Sequence, residues 1–204
     1  MAGRVAGKIK LQTVDELLGV PEIAGTQEIE LGRIHAFPNH PFKVLDDERM
    51  DMLVESIREN GILNPVIVRP DKNGDYEMIS GHRRLHAAGI VGLSKIPAIV
   101  KEMSDDEAII KMVDANIQRE EIMPSEKAFA YKMKLEAMKR TAGRPTKENA
   151  CHNGTHLRSD QELALQVGDS ARSIQRYIRL TELIPELLEC IDNKKLGLVI
   201  AVDL

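Results

Sequence analysis

The chain has 204 residues, enough for one or two domains of roughly 100–200 residues, each with a packed core. Its 43% apolar and 29% charged residues describe a globular protein and exclude a disordered tail or a fibre. No stretch reaches the roughly 18 consecutive apolar residues of a membrane span, and two cysteines, Cys151 and Cys190, make no disulfide framework.

The net charge of −4 hides a basic middle. Residues 1–122 carry 15 Lys and Arg against 21 Asp and Glu, residues 123–180 carry 11 against 6, and residues 181–204 carry 2 against 5. A basic segment in an acidic chain marks a module for polyanions. With no Trp, three Tyr and three Phe, the composition argues against a stacking platform for single-stranded nucleic acid. Gln12, Asp15 and Glu16 interrupt the N-terminal region, so it is no signal peptide, and the chain reads as cytoplasmic.

In chain order, residues 1–27 are a polar leader with a short amphipathic piece around Val14–Val20. EIELGRIHAF (28–37) alternates as one strand does, until Pro38 and Pro41 break it. Asp46 or Asp47 caps a helix to about Asn60, with Met50, Leu53, Val54 and Ile57 at helical spacing and Gly61 as its stop. PVIVRP (65–70) and YEMIS (76–80) form a hairpin around Asn73-Gly74, where both turn residues tolerate positive φ. Gly81 ends the second strand and HRRLHAAGIVG opens a helix, followed by the strand IPAIV (96–100). Ser104 and Glu107 make a capping box for a helix to roughly Glu120. The result is an α/β domain over 28–122. A connecting helix follows over 123–140, then a Gly-, Thr- and Asn-rich linker over 141–158. Residues 159–204 are all-helical.

The segment Ser159–Thr181 has the pattern of a helix-turn-helix. Ser159 and Glu162 form a capping box, Gly168 takes the turn and Ser170 caps the second helix. Ala164 lets the helices cross closely and Ile174 fills the crossing. Arg172, Ser173, Gln175, Arg176 and Arg179 face outward, and with Ser170 they are the candidate DNA contacts, because Arg and Gln read base edges and Ser suits phosphates.

The second constellation is Ser80-Gly81-His82-Arg83-Arg84, a strand end running straight into a helix N-terminus. Free amides of the first helical turn favour an anion, and two arginines beside them bind phosphate oxygens in bidentate fashion. An ordinary imidazole at His82, with pKa near 6.5, adds positive charge between about pH 8 and pH 6 and strengthens such binding. Asn116, Gln118 and Arg119 add polar groups at the end of the long helix.

These residues resemble the ParB family of chromosome and plasmid partition proteins over about residues 28–195. The resemblance rests on Asn39-His40-Pro41-Phe42, the 65–70 strand, Gly81–Ala87, Asn116–Glu120 and the helix-turn-helix that follows. It implies an α/β ParB/sulfiredoxin-like domain that binds CTP and an all-α helix-turn-helix domain that binds a palindromic site on double-stranded DNA. A dimer closes into a sliding clamp, a ParA-type ATPase is the expected partner, and the expected place is the nucleoid. Ser80–Arg84 would hold the triphosphate, with Asn116, Gln118 and Arg119 approaching it and Asn116 as a candidate magnesium ligand. Two carboxylates usual in the family are replaced by His82 and Ala115, so the resemblance implies a weak CTPase at most. The chain stops at Leu204 inside GLVIAVDL, where the family continues to a dimerisation domain, so it reads as a fragment.

Rival readings are a ParB-like transcription regulator without a nucleotide switch, and a nucleotide-dependent enzyme on the sulfiredoxin-like scaffold. The nucleophilic cysteine that sulfiredoxin needs in the turn is here His82. Cys151, His152 and His156 lack a fourth zinc ligand, and Gly143-Arg144-Pro145 is similar to an AT-hook, a minor-groove arm.

Overall fold

Strand β1 (Thr26–Glu30) and strand β2 (Ile34–His35) stand where the alternation predicts one strand over 28–37. A 3-10 turn, Leu31–Arg33, separates them and carries the chain from one edge of the sheet to the other. The structure, a computed structural model, describes residues 25–117, 119, 122–141 and 158–203. The leader before residue 25 and most of the 141–158 linker lie outside the described residues, as do Gln118 and the Cys151/His152/His156 group.

The remaining strands are β3 (Val66–Pro70), β4 (Tyr76–Ser80) and β5 (Lys95–Val100), and the sheet order is β1-β5-β3-β4-β2. β1 pairs antiparallel with β5 (Ile29 opposite Ile96), and β3 runs parallel to β5 but antiparallel to β4. Four flat inter-strand spacings amount to roughly 19 Å, whereas the four Cα steps from Glu30 to Ile34 reach at most about 15 Å. The sheet therefore curls until its edges approach. The β3–β4 connection is a five-residue loop, closed by Asp71 N–H donating to Asp75 O at 2.7 Å. Gly74 alone takes positive φ (+85°) there, so Asn73-Gly74 is not the two-residue turn predicted.

Helix α1 (Glu48–Asn60) has the bounds read from sequence: Asp47 accepts from Met50 N–H at 2.8 Å, and Gly61 (φ +68°) ends it. It packs on α2 (His82–Val91) through Met50, Val54, Ile57 and Ala87. The Ser104/Glu107 box is formed, with Ser104 N–H donating to Glu107 at 2.8 Å, and it opens α3 (Asp105–Ile117). Period-two alternation in β4 sends Met78 to one face, with Ile29, Val66 and Ala88, and Ile79 to the other, with Phe42 and Met112. The sheet is thus covered on both faces at β4.

Helix α4 (Pro124–Thr141) does more than connect. Ala130 belongs to the α3-side core, while Ala128 packs with Leu180 and Ile191, and Tyr131 and Leu135 pack with Leu163 and Ile174. Lys134 is 1% exposed and its ammonium pairs with Asp114 of α3. The last helices are α5 (Ser159–Val167), α6 (Ala171–Leu180), α7 (Pro185–Asp192) and α8 (Leu198–Val202). The cap of α5 differs from the reading above. Arg158, not Ser159, is the capping position, and Gln161, not Glu162, accepts from its N–H at 3.2 Å.

Candidate functional site

At the β4–α2 junction Gly81 adopts φ +114°, where an added Cβ would lie 2.6 Å from Val66 Cγ1. Only glycine fits, and the chain turns tightly enough for α2 to start at His82. No side chain caps this helix start, so its first amides have no side-chain acceptor. Arg83 donates to Asp47 Oδ1 at 2.9 Å. Desolvation pushes the Asp47 carboxyl up, but the Met50 N–H and Arg83 outweigh it and hold the group below the usual carboxylate range. Arg84 turns the other way: its Nη1 donates to Asn64 O and, at 2.8 Å, to Pro65 O. It pins the entry to β3, and its burial lowers its pKa.

His82 is 7% exposed and lies against His40, with ring centroids 3.7 Å apart and the ring planes tilted by 35°. Neither of its ring nitrogens has a partner. Burial first, then the neighbouring His40 and Arg119, push its pKa down to about 3. His82 is therefore neutral throughout pH 6–8, which corrects the expectation that it gains charge over that interval. Phe42 meets His40 edge-on at 5.6 Å, and the Arg119 guanidinium lies 6.0 Å from the Phe42 ring centroid.

Arg119 and Arg83 line one cleft of about 590 Å³ together with Lys43, Asp47, Arg49, Glu126, Asp192 and Lys194. Five of these are basic and three acidic. All three acids are committed to the protein: Glu126 accepts from Lys43 N–H at 2.7 Å and Met123 N–H at 3.1 Å, Asp192 accepts from Ser125 N–H at 2.9 Å, and Asp47 holds Arg83. Burial and repulsion from Arg83 lower the pKa of Arg119, partly offset by Glu126. Such a cleft suits a polyanion, because its unneutralised charge is positive. Asn116 is 2% exposed and its Nδ2 donates to Met112 O at 2.7 Å within its own helix.

In the helical part Gly168 (φ +75°) makes the turn between α5 and α6, and Ser170 caps α6 by accepting from Ser173 N–H at 3.1 Å. Asp169, next in the turn, pairs with Lys127 at 2.8 Å and accepts from the Tyr131 hydroxyl, both from α4. Lys127 and Tyr131 hold the Asp169 carboxyl below its usual range despite desolvation, and burial pushes the Tyr131 phenol up. The turn is thereby fixed to the buried helix beneath it. Arg172, Gln175 and Arg179 are exposed, while Ser173 and Arg176 are half-buried. Gln175 also donates to Asp160 of α5 at 3.3 Å.

Residues 15–117 match the ParB N-terminal domain family. This chain belongs to the ParB family. It is 34% identical over 170 residues to the chromosome-partitioning protein Spo0J of Thermus thermophilus, covering 83% of this chain and 56% of the relative. It is 30% identical over 198 residues to a nucleoid occlusion protein of Listeria monocytogenes, covering 95% and 62%. A C-terminally truncated ParB of Caulobacter crescentus, solved with its centromeric parS site, shares the fold at TM-score 0.53 and 23% identity, over 86% of this chain and 82% of that one. The chain thus spans 56% and 62% of the two relatives.

Within this ParB fold, the sequence-predicted residues divide. Arg83 and Arg119 meet at one cleft, whereas Gly81 and His82, which precede Arg83 in the chain, do not line it. Arg84 and Asn116 are tied to backbone carbonyls. Ser80, half-buried, ends β4. Sequence reasoning missed Asp47, Glu126, Asp192 and Lys43 as cleft walls, and His40 as the partner of His82. Only the Asn39–Phe42 segment pointed that way, through family resemblance.

Proposed function

We propose that this chain is the nucleotide- and DNA-binding part of a partition protein, in which CTP in the α/β domain governs how the helix-turn-helix holds double-stranded DNA. The observation that carries the reading is that Arg83 and Arg119, from two different elements, share a cleft with Asp192 and Lys194 at the end of α7. A ligand there touches both the phosphate turn and the helical part, so it discriminates between their arrangements. Relatives named for chromosome partitioning and nucleoid occlusion support a DNA partner and a place at the nucleoid. The palindromic site, the dimeric clamp and a ParA-type ATPase are what family membership adds.

The triphosphate would lie against the His82–Arg84 amides, with Arg83 and Arg119 as its cations. The donor set offers magnesium few protein oxygens. Asn116 donates Nδ2 to its own helix and keeps Oδ1, the Asp114 carboxylate is paired with Lys134, and the positions of the two family carboxylates are His82 and Ala115. Magnesium prefers oxygen ligands, so any ion would ride on the nucleotide's own phosphates.

The test is retention on DNA. A palindrome-bearing duplex blocked at both ends should hold the full protein through a high-salt wash only with CTP present, whereas an open-ended duplex should release it. Phosphate release in the same reactions should be slower than in His82→Glu/Ala115→Glu. Equal retention on blocked and open DNA, with or without CTP, contradicts the clamp.

A further inference from the structure

The Asp160 carboxylate, near the start of α5, is 7% exposed and takes three donors. Its Oδ1 accepts from the Gln161 N–H at 3.0 Å. Its Oδ2 accepts from the Arg158 guanidinium at 2.9 Å and from Gln175 Nε2 at 3.3 Å. A buried carboxylate needs such partners, which accounts for the first two as local contacts within one helical turn. The third is different. It crosses from α6 and comes from an exposed residue on the helix that carries the candidate DNA contacts.

An ionised carboxylate only accepts hydrogen bonds, so Gln175 can meet it only with its amide NH2. One of the two amide hydrogens is thereby spent, and the carboxamide oxygen is turned away from Asp160. What Gln175 keeps for another molecule is one donor and one acceptor in a fixed order. Adenine presents the complement in the major groove, a donor at N6 and an acceptor at N7. Guanine presents two acceptors, N7 and O6, and would need both amide hydrogens.

We propose that Asp160 is a positioning residue for DNA recognition, holding the Gln175 amide so that it reads adenine and refuses guanine. This rests on the reading of α6 as the DNA-contacting helix, and it adds a specificity determinant that itself touches no base. Without Asp160 the amide rotates freely and both its hydrogens become available, so guanine is accepted at the same position.

The experiment selects bound sequences from a pool of random duplexes with the full chain, for the wild type, Gln175→Ala, Asp160→Ala and Asp160→Ser. Serine keeps a small polar group at the helix start but is too short to reach Gln175, so it backs up the alanine variant if that one folds poorly. The wild type should favour adenine over guanine by about tenfold at one position of the selected site, the size of one bidentate contact. Gln175→Ala should lose that preference, and both Asp160 variants should cut it to below about threefold, with other positions unchanged. Arg158→Ala, which removes a different donor from the same carboxylate, should leave the preference intact. Preference is a ratio among bound duplexes, so a loss of stability lowers the yield without altering it. A uniform loss of affinity with adenine still preferred in both Asp160 variants overturns the positioning role and leaves the DNA reading standing. So does a Gln175→Ala variant that keeps the wild-type preference at every position. If the wild type enriches no sequence, the DNA reading falls as well.

Discussion

The Asp192 carboxylate, at the end of α7, accepts from both the N–H of Ser125 at 2.9 Å and its hydroxyl at 2.5 Å. Ser125 opens α4, so this pair joins the helical part to the α3–α4 corner that carries Arg119. Asp192 lines the cleft as well, which places one structural contact at the junction of the α/β domain and the helical part.

Removing that contact should be felt as stability. Ser125→Ala deletes the hydroxyl bond to a charged acceptor, and a loss of about 1–2 kcal/mol is expected. Urea unfolding should show a lower midpoint with unchanged slope. An unchanged midpoint means that the pair is a solvated contact of no consequence.

Gly81 offers a sharper test of the turn. Gly81→Ala places a Cβ 2.6 Å from Val66 Cγ1 at φ +114°, combining overpacking with a backbone conformation that alanine resists. Together these cost about 2–4 kcal/mol. Val66→Ala in the same chain should restore part of that loss, giving a favourable coupling in a double-mutant cycle.

The buried histidine predicts a pH dependence. The His82 pKa is about 3 when folded, against an unperturbed value near 6.5. The unfolded chain therefore binds the proton more readily, and folding stability falls as pH drops. The contribution is full above about pH 6.5 and is lost from there towards pH 3, by up to about 1.4 kcal/mol per pH unit. His40, lowered in the same direction, adds to the loss. Unfolding curves at pH 7.5, 6 and 5 should diverge between the wild type and His82→Phe, the variant being less pH-sensitive. Parallel curves would mean that His82 is solvated.

On the DNA side, Arg172→Ala should weaken specific duplex binding by roughly 1–3 kcal/mol if it meets a base edge. Tyr131→Phe should act differently. It removes one of the two α4 contacts to Asp169, leaving Lys127, and loosens the turn, so affinity should fall for every duplex without a change in sequence preference. Fluorescence anisotropy on a specific and a scrambled duplex distinguishes the two patterns, and an Arg172 variant with unaltered affinity for both removes α6 as the recognition helix.

Local chemistry was legible in the sequence. The Asp47 cap, the Gly61 stop, the Ser104/Glu107 box, the strand 76–80 and the Gly168 turn each depend on neighbours a few residues apart, and each is formed as read. The break at Leu31–Arg33 was not, because it is imposed by a sheet whose two edges must be joined by three residues. Arg158 takes the cap of α5 because Gln161 reaches back to it, a choice between adjacent frames that differ little in energy. The cleft walls were hidden for another reason. Glu126 with Lys43, Ser125 with Asp192, and His40 with His82 are pairings across the fold, and nothing in local periodicity reports them.

Calorimetry of CTP binding to the wild type, Arg83→Ala and Arg119→Ala, with palindromic DNA and magnesium present, tests the central claim most directly. The account predicts saturable binding to the wild type that falls at least tenfold in each variant, since each removes one cation from the same phosphates. No heat at millimolar CTP in the wild type, or undiminished binding in both variants, would contradict it.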